Sequence, residues 1–294
     1  MVRSAVTGTV QRSPLPDPHG VAGWARRWVS SLPLARPDPC FDELERFCLF
    51  VGYARSGHTL VGSMLNAHPE VVIAHELDAV SYVRHHFTRN QIFGLLMERD
   101  RTFGSMGWTW AGYDYGVSGQ HQGRHERLRV LGDKRGNATA LQIAQWPELL
   151  DRTRRVVKVP IRVIHVTRNP FDNIATAARK HEFPPRRVSV LSQATAWYER
   201  SCASVAKVLR LLDASESVDI RYETFVEEPA DSLAEVCRFV GIEPDATYLD
   251  ACAGQVWPSV NKPRLTVDWS AGERRDIDRL IERYDFLRGY TFDG

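Results

Sequence analysis

From Phe47 onward the apolar residues fall into short unbroken runs separated by stretches of helical spacing. Four runs, Phe47-Cys-Leu-Phe-Val51, Val71-Val-Ile-Ala74, Val163-Ile-His-Val-Thr167 and Val218-Asp-Ile-Arg221, are rich in β-branched or apolar side chains. A strand covered on both faces needs that continuity, whereas a half-exposed strand alternates, so the four predict buried strands. Between them Leu60, Val61, Met64 and Leu65 share one face of a helix that ends before Pro69, and Pro229 to Gly241 reads as another, closed by its glycine. Strand and helix in alternation predict βαβ units, hence an α/β fold whose central, mostly parallel sheet is flanked by helices. Each strand is followed by a polar cluster. Ligands of open α/β sheets bind beyond the carboxyl ends of the strands, so these clusters are expected to meet at one crevice.

The first 45 residues lack this rhythm and read as a loose leader, followed by a single domain over residues 46–294. Within the first 36 residues Arg3, Arg12, Arg26, Arg27 and Arg36 stand against Asp17 alone, a local excess of +4. Trp24 to Leu34 predicts one short basic amphipathic helix, for which surface packing is a simpler use than contact with a membrane or a partner.

Over the whole chain of 294 residues the charges nearly cancel, 38 Lys and Arg against 36 Asp and Glu, and 43% of residues are hydrophobic. That composition excludes long disorder, collagen and a membrane bundle, and leaves no basic excess for nucleic acid, so any anion site is local. The five cysteines, Cys40, Cys48, Cys202, Cys237 and Cys252, are scattered with no CxxC pair and fit neither a disulfide framework nor a zinc site. No run approaches the ~18 apolar residues of a membrane helix, and the first 30 residues lack a secretion signal's apolar core. The expectation is a cytoplasmic protein without integral membrane contact.

The first strand runs into Gly52-Tyr-Ala-Arg-Ser-Gly-His-Thr59 and then a helix. Such strand–loop–helix turns aim backbone N–H groups and a helix N-terminus at one point, where an anion is held. The spacing matches the nucleotide-binding pattern GxxxxGK[ST], except that His58 replaces the lysine that reaches the terminal phosphates. Arg55 lies inside the loop, and its always-charged fork can donate two hydrogen bonds to the same anion.

The run from Tyr53 to Pro69, YARSGHTLVGSMLNAHP, resembles the 5′-phosphosulfate loop of sulfotransferases that use 3′-phosphoadenosine 5′-phosphosulfate (PAPS). It is most similar to the tyrosylprotein and bacterial branches, whose loops often read RSGTT before a leucine-rich helix ending Ala-His-Pro. The resemblance implies a three-layer P-loop-type fold, with Arg55, Ser56, Gly57, His58 and Thr59 around the 5′ end of the donor. His58 stands where threonine is usual, and an imidazole N–H is the expected substitute for its hydroxyl.

Asn169 and Pro170 mark a helix start after the strand that ends at Thr167. Arg168 at the strand end and Thr176 eight positions on, with Lys180 one turn further, resemble the motif that grips the donor's 3′-phosphate. P-loop kinases hold Mg²⁺ with a strand-end aspartate, and none of the four strands ends in one, so no metal is expected.

Glu76 lies 21 residues after Arg55 and resembles the glutamate that takes the acceptor's proton in the tyrosylprotein branch. His75 beside it is the competing base, since an imidazole is poised near neutral pH without help. Within Val130-Leu-Gly-Asp-Lys-Arg-Gly136, Lys134 resembles the lysine that contacts the transferring group and would stabilise its charge together with Arg55. Tyr222, in Ile220-Arg-Tyr-Glu-Thr-Phe225, resembles a residue beside the cofactor, and Lys262 resembles a phosphate contact of the closing C-terminal loop. Ser270 and Glu273 spell a capping box for a last helix.

Residues 77–130 match no family pattern. They carry Phe103, Trp108, Trp110, Tyr113 and Tyr115 among glycines, followed by His121 and His125. Long loops beside a cleft set substrate choice, and this one is read as an acceptor wall without a metal set. The resemblance thus implies sulfuryl transfer to a hydroxyl or amine of a small-molecule acceptor, releasing adenosine 3′,5′-bisphosphate (PAP). A P-loop kinase or NTPase and a non-catalytic nucleotide-binding module stand as alternatives.

Overall fold

The computed structural model describes residues 18–180, 183–184 and 187–294. In chain order the first half holds α1 (Gly20–Ser30), β1 (Arg46–Gly52), α2 (His58–Leu65), β2 (Val71–Ala74), α3 (Ala79–Arg84), α4 (Arg89–Ser105), β3 (Thr109–Trp110), β4 (Tyr113–Asp114) and β5 (Val130–Asp133). The second half holds α5 (Gly136–Gln145), α6 (Glu148–Val157), β6 (Ile161–Thr167), α7 (Pro170–Lys180), α8 (Val190–Leu209), β7 (Ser217–Arg221), α9 (Tyr222–Glu227), α10 (Pro229–Phe239), α11 (Ala246–Gln255) and α12 (Ala271–Arg283).

The long strands form one sheet in the order β2-β5-β1-β6-β7, every neighbouring pair parallel. Their side chains divide by period two, as the pleat requires. Phe47, Leu49 and Val51 of β1 join Val72 and Val163 in one core with Val80, Phe93, Ile143, Ile174, Tyr198 and Ile277. Cys48 and Phe50 join Val71, Ile73, Ile164 and Val166 in the opposite core with Val61, Met64, Phe225, Val236 and Tyr248. Helices therefore cover both faces, which is the expected three-layer α/β architecture, and parallel pairing brings the carboxyl ends of all five strands to one edge.

Four of the five strands of this sheet coincide with the apolar runs. The fifth, β5, was expected only as a basic cluster behind an apolar pair. It is a strand, wedged between β2 and β1, and it ends in Asp133. The expectation that no strand ends in an aspartate is thereby corrected. Residues 77–130 are also more regular than a long loop, with α3, α4 under a Thr88–Gln91 capping box, and a small β3–β4 hairpin.

Residues 1–17 of the leader, with Arg3, Arg12 and Asp17, lie outside the described residues. The remainder is packed rather than loose. Trp24 stacks on His85 with ring centroids 3.8 Å apart and meets Tyr82 and Phe87 edge-on, while Gln91 Nε2 donates to Ser31 Oγ over 2.9 Å. All five cysteines are free thiols. Among the described residues no helix is long and apolar enough to cross a membrane.

Candidate active site

The loop after β1 closes through Ser56, whose Oγ and N–H both donate to the Tyr53 carbonyl at 2.9 and 3.3 Å. Gly57 caps α2 at φ 103°, and a β-carbon there would lie 2.4 Å from the Tyr222 ring. Only glycine satisfies both the left-handed backbone and that contact. Arg55, in the loop that leads into the N-terminus of α2, is half-exposed and has no ion-pair partner among the described residues.

His58 departs from expectation. Its ring does not open toward the loop's mouth but fills a slot where a β-carbon on Gly52 or Gly136 would come within 2.5 or 2.6 Å of it. Nε2 lies 3.1 Å from the Val51 carbonyl oxygen, and burial pushes the imidazole down to about 3, so the ring is neutral and donates to Val51. The imidazole is a wedge between β1, the loop and α5 rather than an anion contact, although the backbone N–H of His58 stays in the loop.

Beyond β2 the chain turns at Glu76, which has φ 60°. Arg99 of α4 holds this turn, donating to the carbonyls of His75 at 2.6 Å and Glu76 at 3.0 Å. The turn sends the two candidate bases apart. Glu76 accepts from Lys134 Nζ at 2.8 Å and from Arg135 at 3.1 Å, and the same Nζ donates to Thr59 Oγ1 at 3.0 Å. Burial alone would raise the Glu76 carboxyl, but the Lys134 ammonium and the other nearby cations hold it well below the usual carboxylate range. Burial pulls Lys134 down, partly offset by Glu76. The His75 ring instead stacks on Phe103 at 4.0 Å and meets Trp110 at 4.6 Å. Its Nε2 is buried without a partner, and burial holds it well below its ordinary value.

Arg168, at the end of β6, donates to the Arg55 carbonyl at 3.2 Å and to the Asn261 carbonyl at 2.7 Å, and its guanidinium lies over the Tyr222 ring. Its Nε–H is buried without an acceptor. Thr176 is half-buried and donates to Asp172 O, Lys180 is exposed at the last turn of α7, and Lys262 is exposed one residue beyond Asn261. Sequence reasoning missed the pair that fixes this corner. Buried Asp172 accepts from the Arg264 backbone N–H at 3.0 Å and forms an ion pair with its guanidinium. The expected Asn169 cap and the Ser270–Glu273 capping box are both present.

The hairpin approaches the C-terminal segment. Tyr113 meets Trp257 edge-on at 6.1 Å, and Gln255 donates to Asp114 O at 3.2 Å. Tyr115 is buried enough to raise its phenol, and the His121 ring pairs with Glu126 at 3.1 Å. The described residues hold no group of three His, Cys, Asp or Glu arranged for a metal. Asp133 occupies the strand-end position of a metal aspartate, but its oxygens accept from Leu77 N–H at 3.0 Å and Ala79 N–H at 2.7 Å, and burial pushes it up to about 6. A 340 Å³ cavity at the β7 edge, lined by Asp219, Arg221, Glu235 and Asp285, includes none of these residues.

No curated protein sequence matches the chain significantly. Residues 160–246 match the profile of the sulfotransferase family. The sulfotransferase domain of the Synechococcus PCC 7002 olefin synthase shares the fold with a TM-score of 0.53 at 16% identity, over 82% of this chain and 94% of that one. Sulfotransferase STF9 from Mycobacterium avium gives 0.51 at 11% identity, over 89% and 81%. The chain thus shares the fold of these sulfotransferases along most of its length, and its residues 160–246, from β6 to the start of α11, are similar to the sulfotransferase family.

Proposed function

We propose that this enzyme moves a sulfuryl group from PAPS to a hydroxyl or amine of a small-molecule acceptor, with Glu76 as the general base. The observation that carries the reading is the run of contacts from Glu76 Oε1 through Lys134 Nζ to Thr59 Oγ1, which joins a carboxylate, a buried cation and the anion loop within hydrogen-bond distances of 2.8 and 3.0 Å.

The residues fit a donor with phosphate at both ends. The loop N–H groups and Arg55 suit the 5′ phosphosulfate. Arg168, Thr176, Lys180 and Lys262 suit the 3′-phosphate, and Tyr222 offers a ring beside both. Arg168 supports this directly, because a buried N–H without an acceptor costs about 1–3 kcal/mol and a phosphate oxygen would satisfy it.

In the free enzyme Glu76 is ionised but engaged by two cations, which makes it a weak base. Sulfuryl oxygens entering beside Thr59 compete for Lys134, and as that ammonium turns toward them the proton affinity of Glu76 rises. The acceptor's proton then passes to Glu76, its oxygen or nitrogen forms a bond to sulfur, and the bond from sulfur to the bridging phosphate oxygen breaks. PAP departs with the electron pair, its charge met by Arg55, Lys134 and the loop N–H groups. Buried, neutral His75 forms part of the wall with Phe103 and Trp110. No step is assigned to a metal, since a sulfuryl group carries less charge than a γ-phosphoryl and cationic side chains suffice. Five free thiols suit a reducing compartment, and the proposed location is the cytoplasm.

The test is transfer of labelled sulfuryl from PAPS to a panel of phenols, alcohols and amines. Glu76→Gln should lower kcat by about 10²–10⁴-fold while PAP binding persists. Undiminished turnover in that variant would remove Glu76 from the role.

A further inference from the structure

The helix α1 has two apolar sides, and packing explains only one. Trp24 turns inward onto His85, Tyr82 and Phe87, and Ser31 is buried beside Gln91. Val21, Ala25, Trp28 and Val29 recur at helical spacing on the outer side. Val21 is 89% exposed, Trp28 38%, Val29 60%, and Leu32 in the turn that follows 44%. Arg26 and Arg36 are exposed and Arg27 half-buried around this stripe, and residues 18–37 contain no carboxylate. None of the three arginines has an ion-pair partner among the described residues.

We propose that this outer face of α1 docks the enzyme on an anionic lipid surface. A short helix with a bulky apolar stripe ringed by arginine lies in the plane of a bilayer interface, the apolar side chains entering the headgroup boundary and the guanidinium groups staying among the lipid phosphates. Charge selects this occupant over a second copy of the chain. A symmetric dimer through α1 would set Arg26 and Arg27 of both copies together, with Arg36 beside them and no carboxylate on the helix or the turn after it to offset them, whereas anionic headgroups supply that counter-charge. The contact is peripheral and is independent of the donor site, which lies at the carboxyl ends of the strands.

Co-sedimentation of the full chain with vesicles tests the proposal, using phosphatidylcholine alone against phosphatidylcholine mixed with phosphatidylserine. The enzyme should bind the mixed vesicles, weakly or not at all the neutral ones, and lose binding as salt rises. Val21→Glu/Val29→Glu and Arg26→Glu/Arg36→Glu should each weaken binding by about tenfold or more, with PAP-induced thermal stabilisation unchanged as proof of folding. The proposal is overturned if the wild type stays in the supernatant, if both double variants bind as it does, or if binding ignores lipid charge and salt. Binding that emerges only after residues 1–17 are deleted would assign the face to the chain's own leader and equally overturn it. A dimer in solution that Val21→Glu/Val29→Glu dissociates, without vesicle binding, would do the same in favour of a second copy.

Discussion

The Lys134 ammonium lies 2.8 Å from the Glu76 carboxylate and is itself only 4% exposed, so each charge depends on the other. Glu76 is held below its ordinary range in the folded state. A carboxyl depressed by folding contributes stability that is complete above its unfolded value, about 4.3, and is lost as pH falls toward the folded one. Glu76→Gln should therefore destabilise by about 1–3 kcal/mol at pH 7, and the gap to wild type should close as the pH is lowered through 4. Denaturant melts at a series of pH values would show it; a gap constant from pH 7 to pH 3 would mean that the pair contributes nothing electrostatic.

Gly136→Ala places a methyl group 2.6 Å from the His58 ring and should destabilise the wild type, yet be tolerated once His58→Ala has emptied the slot. Non-additive melting temperatures in that double-mutant cycle are the expected readout. A neutral His58 held down to about 3 also makes stability fall as pH drops below about 6.5. His58→Gln should flatten that slope by up to about 1.4 kcal/mol per pH unit, with His75 supplying a part that remains.

The buried pair of Asp172 and Arg264 anchors the segment that presents Asn261 to Arg168. Asp172→Asn should cost about 3–5 kcal/mol, read as a lower melting temperature. PAP affinity should fall with it, because Arg168 loses a neighbour that fixes its direction. Normal stability in this variant would show that the corner is held by other contacts.

Much of the sheet was legible because buried parallel strands leave continuous apolar runs, and the two anchors of the cleft were legible because Gly57, Asn169 and Pro170 carry backbone geometry in their identities. β5 escaped because four residues containing Gly132, Asp133 and only two large apolar side chains carry little strand signal; its neighbours make it a strand. The orientation of His58 was hidden for a related reason. Whether an imidazole faces an anion or a core slot depends on the size of residues far along the chain, here Gly136, and no local pattern encodes that pairing. Asp172 and Arg264 are 92 positions apart, and Arg99 reaches the Glu76 turn from 23 positions away, so their partnerships arise from packing rather than spacing.

The proposed cleft holds PAP at its Arg168 end and transfers the sulfuryl group at its Glu76 end. The most direct test is thermal shift with PAP, with adenosine 5′-monophosphate and with ATP plus Mg²⁺, on wild type and Arg168→Ala, since a ligand that binds only the native state raises the melting temperature by mass action. Stabilisation by PAP alone, lost in Arg168→Ala, is the predicted result. Stabilisation by ATP with Mg²⁺ and none by PAP would contradict the account.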